Sequence, residues 1–252
     1  MMTQATVATR LERVRERIAR AAERAGRSPD EIVLVGASKT VEPARIAAAI
    51  AAGLRDLGEN YVQEAQTKQA ALRGPDGALA VAPSESGAAA GGASAPVRWH
   101  LIGHLQTNKA KLAVELFDII QSLDSDRLAR ALARHAAARG KQLRVLLEVD
   151  YTGLPERTGL APDAVYPTVE AVLGLPSLAL VGLMTVPALG LSAAETRATF
   201  QRLRALRDDL AARYPAADWR HLSMGMTDDF ELAIEEGATM VRIGRAIFGE
   251  RP

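Results

Sequence analysis

The sequence predicts an α/β protein, a single (β/α)8 TIM barrel preceded by one extra helix. Eight short apolar, β-branched runs follow Gly26, a segment of helical periodicity separates each consecutive pair, and 252 residues is the length of one such barrel. An open doubly wound sheet would more naturally carry a G-x-G-x-x-G turn after its first strand. Here that turn reads Gly36-Ala37-Ser38-Lys39-Thr40.

The elements follow in order. Residues 1–27 form an amphipathic helix, with Leu11, Val14, Ile18 and Ala21 at helical spacing. Its arginines rule out a secretory h-region, and Glu12, Glu16 and Glu23 argue against a mitochondrial transit peptide, so a cytoplasmic protein is expected. The strand runs are Ile32–Ala37, Leu54–Gly58, Trp99–Gly103, Ile119–Leu123, Leu143–Val149, Leu178–Met184, Arg220–Ser223 and Met240–Gly244. The helices between them are Pro43–Ala52, Tyr61–Leu72, Thr107–Leu116, Asp126–Arg139, Asp163–Leu173, Ala193–Arg213 and Asp228–Glu236. Pro43 suits a first turn, Gly53 and Gly237 suit helix ends, and Ser192 with Glu195 makes a capping box. The same spacing at Ser28 and Glu31 precedes a strand, so it reads as chance. Residues 74–97, rich in Gly, Ala, Ser and Pro, read as a flexible surface-loop insertion in an otherwise single domain spanning 1–252.

Composition narrows the function. The chain has no cysteine, which excludes disulfide scaffolds, cysteine-based metal sites and thiol nucleophiles. With 31 basic against 30 acidic residues, nothing favours nucleic acid as a partner. No apolar stretch reaches the length of a membrane span.

Barrels of this type work at the C-terminal ends of their strands. Lys39 closes the first apolar run, and partial desolvation there would favour the neutral amine that attacks an aldehyde; the alternative is a solvated loop lysine. The loops after strands seven and eight carry Ser223, Gly225 and Gly244-Arg245, with Thr227 as a plausible N-cap, and such loops often bind phosphate; ordinary turn chemistry is the alternative. Strand alternation sends Arg242 inward, to meet either a carboxylate such as Glu59 or Glu148, or a ligand. An aldehyde-bearing phosphate ester with a ring nitrogen satisfies all three features, and pyridoxal 5′-phosphate (PLP) is such a molecule.

The same blocks carry a resemblance. Val35–Thr40, Leu57–Glu64, Trp99–Lys109, Gly182–Thr185, Leu222–Asp229 and Met240–Gly249 resemble the pyridoxal phosphate homeostasis protein family from the first strand to the last. The resemblance implies a fold-type III barrel like the N-terminal domain of alanine racemase. It implies Lys39 as the Schiff-base lysine, Ser223, Gly244 and Arg245 in the phosphate-binding segments, Arg242 toward the pyridine nitrogen, and Asn60 in a pocket-lining motif. Gly244 and Arg245 would act through backbone amides. The 74–97 stretch is longer than usual for the family, and Asp150–Arg157 is a divergent loop.

An arginine cannot accept a proton, so it disfavours a protonated ring and weakens the ring as an electron sink. A racemase of this fold also needs a second acid/base, which in alanine racemase comes from a further domain that these 252 residues are expected to leave no room for. His100 and His104 are closer to structural hydrogen bonders than to acid/base groups. The expected function is therefore PLP storage, buffering or delivery, without established turnover and with no catalytic or metal-binding residue assigned. A PLP-dependent racemase or lyase with limited activity is the alternative. PLP and PLP-dependent apoenzymes are the expected partners, and a monomer is the expected state.

Overall fold

The computed structural model describes residues 6–73 and 96–250, and within them the eight predicted strands close into one parallel barrel in chain order. The strands are β1 (Val33–Ala37), β2 (Asp56–Glu59), β3 (Arg98–Leu101), β4 (Ile119–Leu123), β5 (Leu143–Glu148), β6 (Leu178–Met184), β7 (His221–Ser223) and β8 (Met240–Ile243). Closure is the pairing of β8 with β1, from Val33 with Met240 to Gly36 with Ile243. The helices are α1 (Val7–Arg24), α2 (Pro43–Ala51), α3 (Val62–Leu72), α4 (Ala110–Leu116), α5 (Asp126–Ala137), α6 (Pro162–Leu173), α7 (Ala193–Arg213), α8 (Phe230–Glu235) and α9 (Arg245–Phe248). Most of the predicted loop insertion, residues 74–95, lies outside the described residues.

Strand alternation divides the core in two. Leu57, Leu101, Ile120, Leu183, Leu222, Val241 and Ile243 join the large outer core packed under the helices. Ile119, Leu146, Val181, Met184 and Met240 make a smaller inner core. The period of two along each strand produces both layers from one sequence.

The extra helix is a working part of the wall. Thr6 caps α1 by accepting a hydrogen bond from the Thr9 amide, and Leu11, Val14, Ile18 and Ala21 are buried as their spacing requires. Arginines in α1 and just after it serve the ends of other helices. Arg15 donates to the carbonyls of Ala52 and Gly53 after α2, and Arg27 donates to those of Ile234 and Ala238 around the end of α8. Carbonyls around a helix C-terminus are left short of intrahelical partners, and a cation suits the negative end of the helix dipole. Arg17 forms a two-pronged pair with Glu231 at 2.8 Å and lies 4.5 Å from the centre of the Phe230 ring.

Several boundaries differ from expectation. Ser28 and Glu31 do form a reciprocal capping box, on a single 3₁₀ turn, Pro29–Glu31, that ends just before β1. The motif satisfies orphan amides and does not need a long helix after it. Thr107–Lys109 is a 3₁₀ turn leading into α4, and a short α9 follows β8. Among the described residues no helix is long and apolar enough to cross a membrane.

Leu11 is fully buried against the barrel. Replacing it by alanine should lower unfolding free energy by about 2–5 kcal/mol, read from urea denaturation, with the folded-state circular dichroism unchanged.

Candidate functional site

The six candidate residues occupy one arc of the barrel rim. Ser223 ends β7, Arg242 lies in β8 with Gly244 and Arg245 just after it, Lys39 follows β1, and Asn60 follows β2. Register makes these neighbours: Val35 pairs with Arg242, and Ala37 with Gly58.

Lys39 is half-buried and lightly held. Its ammonium donates to the Tyr61 hydroxyl at 3.4 Å and lies 5.0 Å from the centre of that ring. The backbone beneath it is clamped. Thr40 adopts a left-handed φ of 62°, costly for a β-branched residue, and its amide donates to Glu64 Oε1 at 2.5 Å. The Lys68 ammonium donates to the Ser38 carbonyl at 2.5 Å, to Glu59 at 2.8 Å and to Glu64 at 2.6 Å. Ser38 adds a 2.6 Å bond to Glu59. Burial pushes the Glu59 carboxyl up against the opposing pull of Lys68. The clamp fixes the turn that presents Lys39 without engaging the Lys39 amine.

Arg242 points into the barrel, as alternation requires, but pairs with neither expected carboxylate. Glu59 is out of phase and faces α3, where Lys68 takes it. Glu148 is buried, and its Oε2 has no hydrogen bond. Arg242 instead donates to Ser223 Oγ at 2.6 Å and to the Thr185 carbonyl at 2.8 Å. Burial lowers its pKa to about 10, which leaves it cationic at neutral pH.

The loops after β7 and β8 are shaped by glycine. A Cβ on Gly225, whose φ is +93°, would lie 2.6 Å from Ala233 Cβ, and one on Gly244 would lie 3.0 Å from the Ala37 carbonyl oxygen. The Arg245 side chain ties the two loops together through both Asp228 oxygens at 2.6 Å. That pair is exposed and adds little stability. Thr227 is not the N-cap: α8 starts at Phe230 with Asp229 as its cap residue, and Asp229 Oδ1 accepts from the Met226 amide at 2.5 Å. Asn60 backs against Gly103, where a Cβ would come within 2.6 Å of its carbonyl oxygen.

The histidines divide. His104 is largely exposed and bonds Asp124 at 2.9 Å, while His100 is fully buried between Asp56 and Gln121, both at 2.8 Å. Gln121, Thr185, Asp56 and Lys68 are supporting residues absent from the six. A lone glutamine in the apolar run Ile119–Leu123 was the available signal for one of them. A separate cleft of about 320 Å³, lined by Gln69, Arg73, Trp99 and Asp118 among others, opens around the starts of β3 and β4, at the opposite end of the barrel.

Comparison with known proteins gives a consistent picture. The family model described as "Alanine racemase, N-terminal domain" matches residues 9–252. The pyridoxal phosphate homeostasis protein of Aquifex aeolicus is 42% identical, over 96% of this chain and 97% of that one. The protein of the same name from Pseudomonas aeruginosa is 41% identical, over 98% and 96%. Among solved structures, PipY of Synechococcus elongatus with PLP bound superposes with a TM-score of 0.79 at 36% identity, covering 97% of this chain and all of PipY. Alanine racemase of Clostridium difficile shares the fold alone, at 14% identity and a TM-score of 0.67, with this chain covering 56% of its length.

Two predictions follow from the geometry. Burial, reinforced by the charge of Asp124, raises the Glu148 pKa to about 7. Between its ordinary value and pH 7 the folded chain then binds more protons than the unfolded one, so this group's contribution to stability falls as pH rises through that window. Glu148→Gln should flatten that slope and stabilise the protein above pH 7, measured by denaturant midpoints across pH. Lys68→Met should cost about 3–5 kcal/mol by stranding Glu59, and adding Glu59→Gln should recover much of the loss in the same assay.

Proposed function

The chain belongs to the pyridoxal phosphate homeostasis protein family, built on the alanine racemase N-terminal barrel, and on that premise we propose how its own residues hold the cofactor. It is a PLP-binding protein of cofactor homeostasis. The reading at residue level rests on one observation above all. On one arc of the rim, Lys39 presents an amine with a single long hydrogen bond among the described residues, near a buried arginine on β8 and glycine-shaped loops.

The residues present fit the group. Lys39 would hold the aldehyde carbon as an imine, because its amine is accessible and its turn is fixed. The loops carrying Ser223, Gly244 and Arg245 would take the phosphate, with Gly225 and Gly244 leaving the backbone amides unobstructed. The Ser223 hydroxyl proton is already committed to Gln121, so the contribution of this residue toward phosphate would come from its backbone position at the end of β7. Arg242 would face the ring nitrogen and Asn60 would line the pocket. When bound, the cofactor supplies a reversible carbonyl and an electron-accepting ring. Opposite it, Arg242 offers only donors and holds the nitrogen unprotonated, which suits storage, buffering or delivery over turnover. The corresponding cellular setting is cytoplasmic, as a monomer, handing PLP to PLP-dependent apoenzymes, with neither nucleic acid nor membrane as a partner.

The test is the visible spectrum of PLP-loaded protein before and after borohydride, with mass analysis of the Lys39 peptide. Lys39→Ala should lose the visible band and the reduced adduct. A borohydride-fixed adduct on another lysine would overturn the assignment, and loss of chirality from an amino-acid substrate would favour a racemase.

A further inference from the structure

Arg242 is one end of a chain of buried side chains that runs the length of the barrel. Ser223 Oγ bonds Gln121 Oε1 at 2.5 Å, Gln121 Nε2 bonds His100 Nδ1 at 2.8 Å, and His100 Nε2 bonds Asp56 Oδ1 at 2.8 Å. Asp56 opens β2 and also receives both prongs of Arg98, at 2.8 and 2.7 Å, at the N-terminal end of the barrel. Ser223 and Arg242 stand at the other end. Ser223, Gln121 and His100 are fully buried, beside Met240 of the inner core.

With Asp56 ionised and His100 neutral, donor and acceptor chemistry permits one polarity for this chain. A guanidinium only donates, so Ser223 Oγ accepts from Arg242 and must send its own proton to Gln121. Gln121 then presents its oxygen to Ser223 and its amide nitrogen to His100. His100 must accept at Nδ1, which leaves the proton on Nε2 to reach Asp56. The Asp56 carboxyl is buried, yet its bonds to His100 and Arg98 hold it below the ordinary carboxylate range, so it accepts. Reversing any one member leaves two donors or two acceptors face to face in a dry interior, where an unmade hydrogen bond is costly.

We propose that Asp56, His100 and Gln121 are positioning residues for the ligand pocket. Their one-way hydrogen-bond chain locks His100 as the neutral Nε2–H tautomer, and through Ser223 it fixes where the Arg242 guanidinium points. The inference that this orientation serves a ring nitrogen rests on the PLP reading above, whereas the tautomer and the chain do not.

The test has a ligand-free arm and a ligand arm. Long-range ¹⁵N NMR of the full chain with labelled histidine should show His100, assigned by its loss in His100→Gln, protonated on Nε2 and bare on Nδ1. An Nδ1–H tautomer or a doubly protonated ring would overturn the proposal without touching the cofactor assignment. In the second arm, His100→Gln keeps one acceptor toward Gln121 and one donor toward Asp56, whereas His100→Leu keeps neither. The leucine variant should shift the Arg242 side-chain resonances and the ¹⁵N signal of ring-labelled PLP, and weaken PLP binding at least about fivefold. The glutamine variant should restore all three toward wild type. Unchanged Arg242 resonances in a folded His100→Leu would overturn the positioning role. Should the leucine variant fail to fold, the wild-type tautomer and the glutamine variant's Arg242 resonances still decide the matter. If the chain behaves as stated but no PLP signal appears, the failure belongs to the PLP reading.

Discussion

A guanidinium with no hydrogen-bonded carboxylate among the described residues is buried inside this barrel, and much of the interior is arranged to tolerate it. Burying such a charge is expensive unless all its donors are occupied and a compensating charge is within electrostatic reach. Arg242 places one donor on a serine hydroxyl and one on a backbone carbonyl, Glu148 and Asp229 lie within electrostatic reach, and the hydroxyl sends its own proton on toward Gln121, His100 and Asp56. These polar side chains occupy inward positions that an ordinary barrel would fill with Val, Ile or Leu. The small inner core, with Ile119, Leu146 and Met240, is what remains after they are seated.

The rim is organised by the same separation of inside from outside. Glu59 faces outward, so its charge is answered by Lys68 on α3, and that pair grips Ser38 and Thr40 and fixes the Lys39 turn. Arg242 faces inward, and its charge is answered through the barrel. Two buried cation systems, one between α3 and β2 and one on β8, thus fix the backbone under one candidate binding residue and the side chain of another. Both hold geometry in place before a ligand arrives, which lowers the ordering cost of binding.

Much of this was readable from local pattern. The eight runs, the helices between them, the α1 stripe and the inward direction of Arg242 follow from periods of 3.6 and 2.0. The reading failed where one residue could be satisfied in two ways. Ser28 and Glu31 looked accidental because a strand follows, yet a single 3₁₀ turn suffices for the box. Thr227 looked like a cap because a hydroxyl precedes acids, but the helix begins three residues later and Asp229 serves the loop amide. Glu59 and Glu148 were equal candidates as partners of Arg242, because the bounds of β2 and β5 that set their phase are a tertiary outcome.

The sequence by itself determined the barrel, the order of its strands and the arc on which Lys39, Asn60, Ser223, Arg242, Gly244 and Arg245 meet. Each of these depends on spacing along the chain, which local sterics translate directly into direction. Which partner each polar side chain takes was decided only when the barrel closed. Asp56 and Arg242 are 186 positions apart in the chain by their numbering, and they become the two ends of one hydrogen-bond chain because closure brings five strands around a dry interior. Hydrogen-bond polarity is a property of the whole chain of donors and acceptors, so no local segment could have specified it.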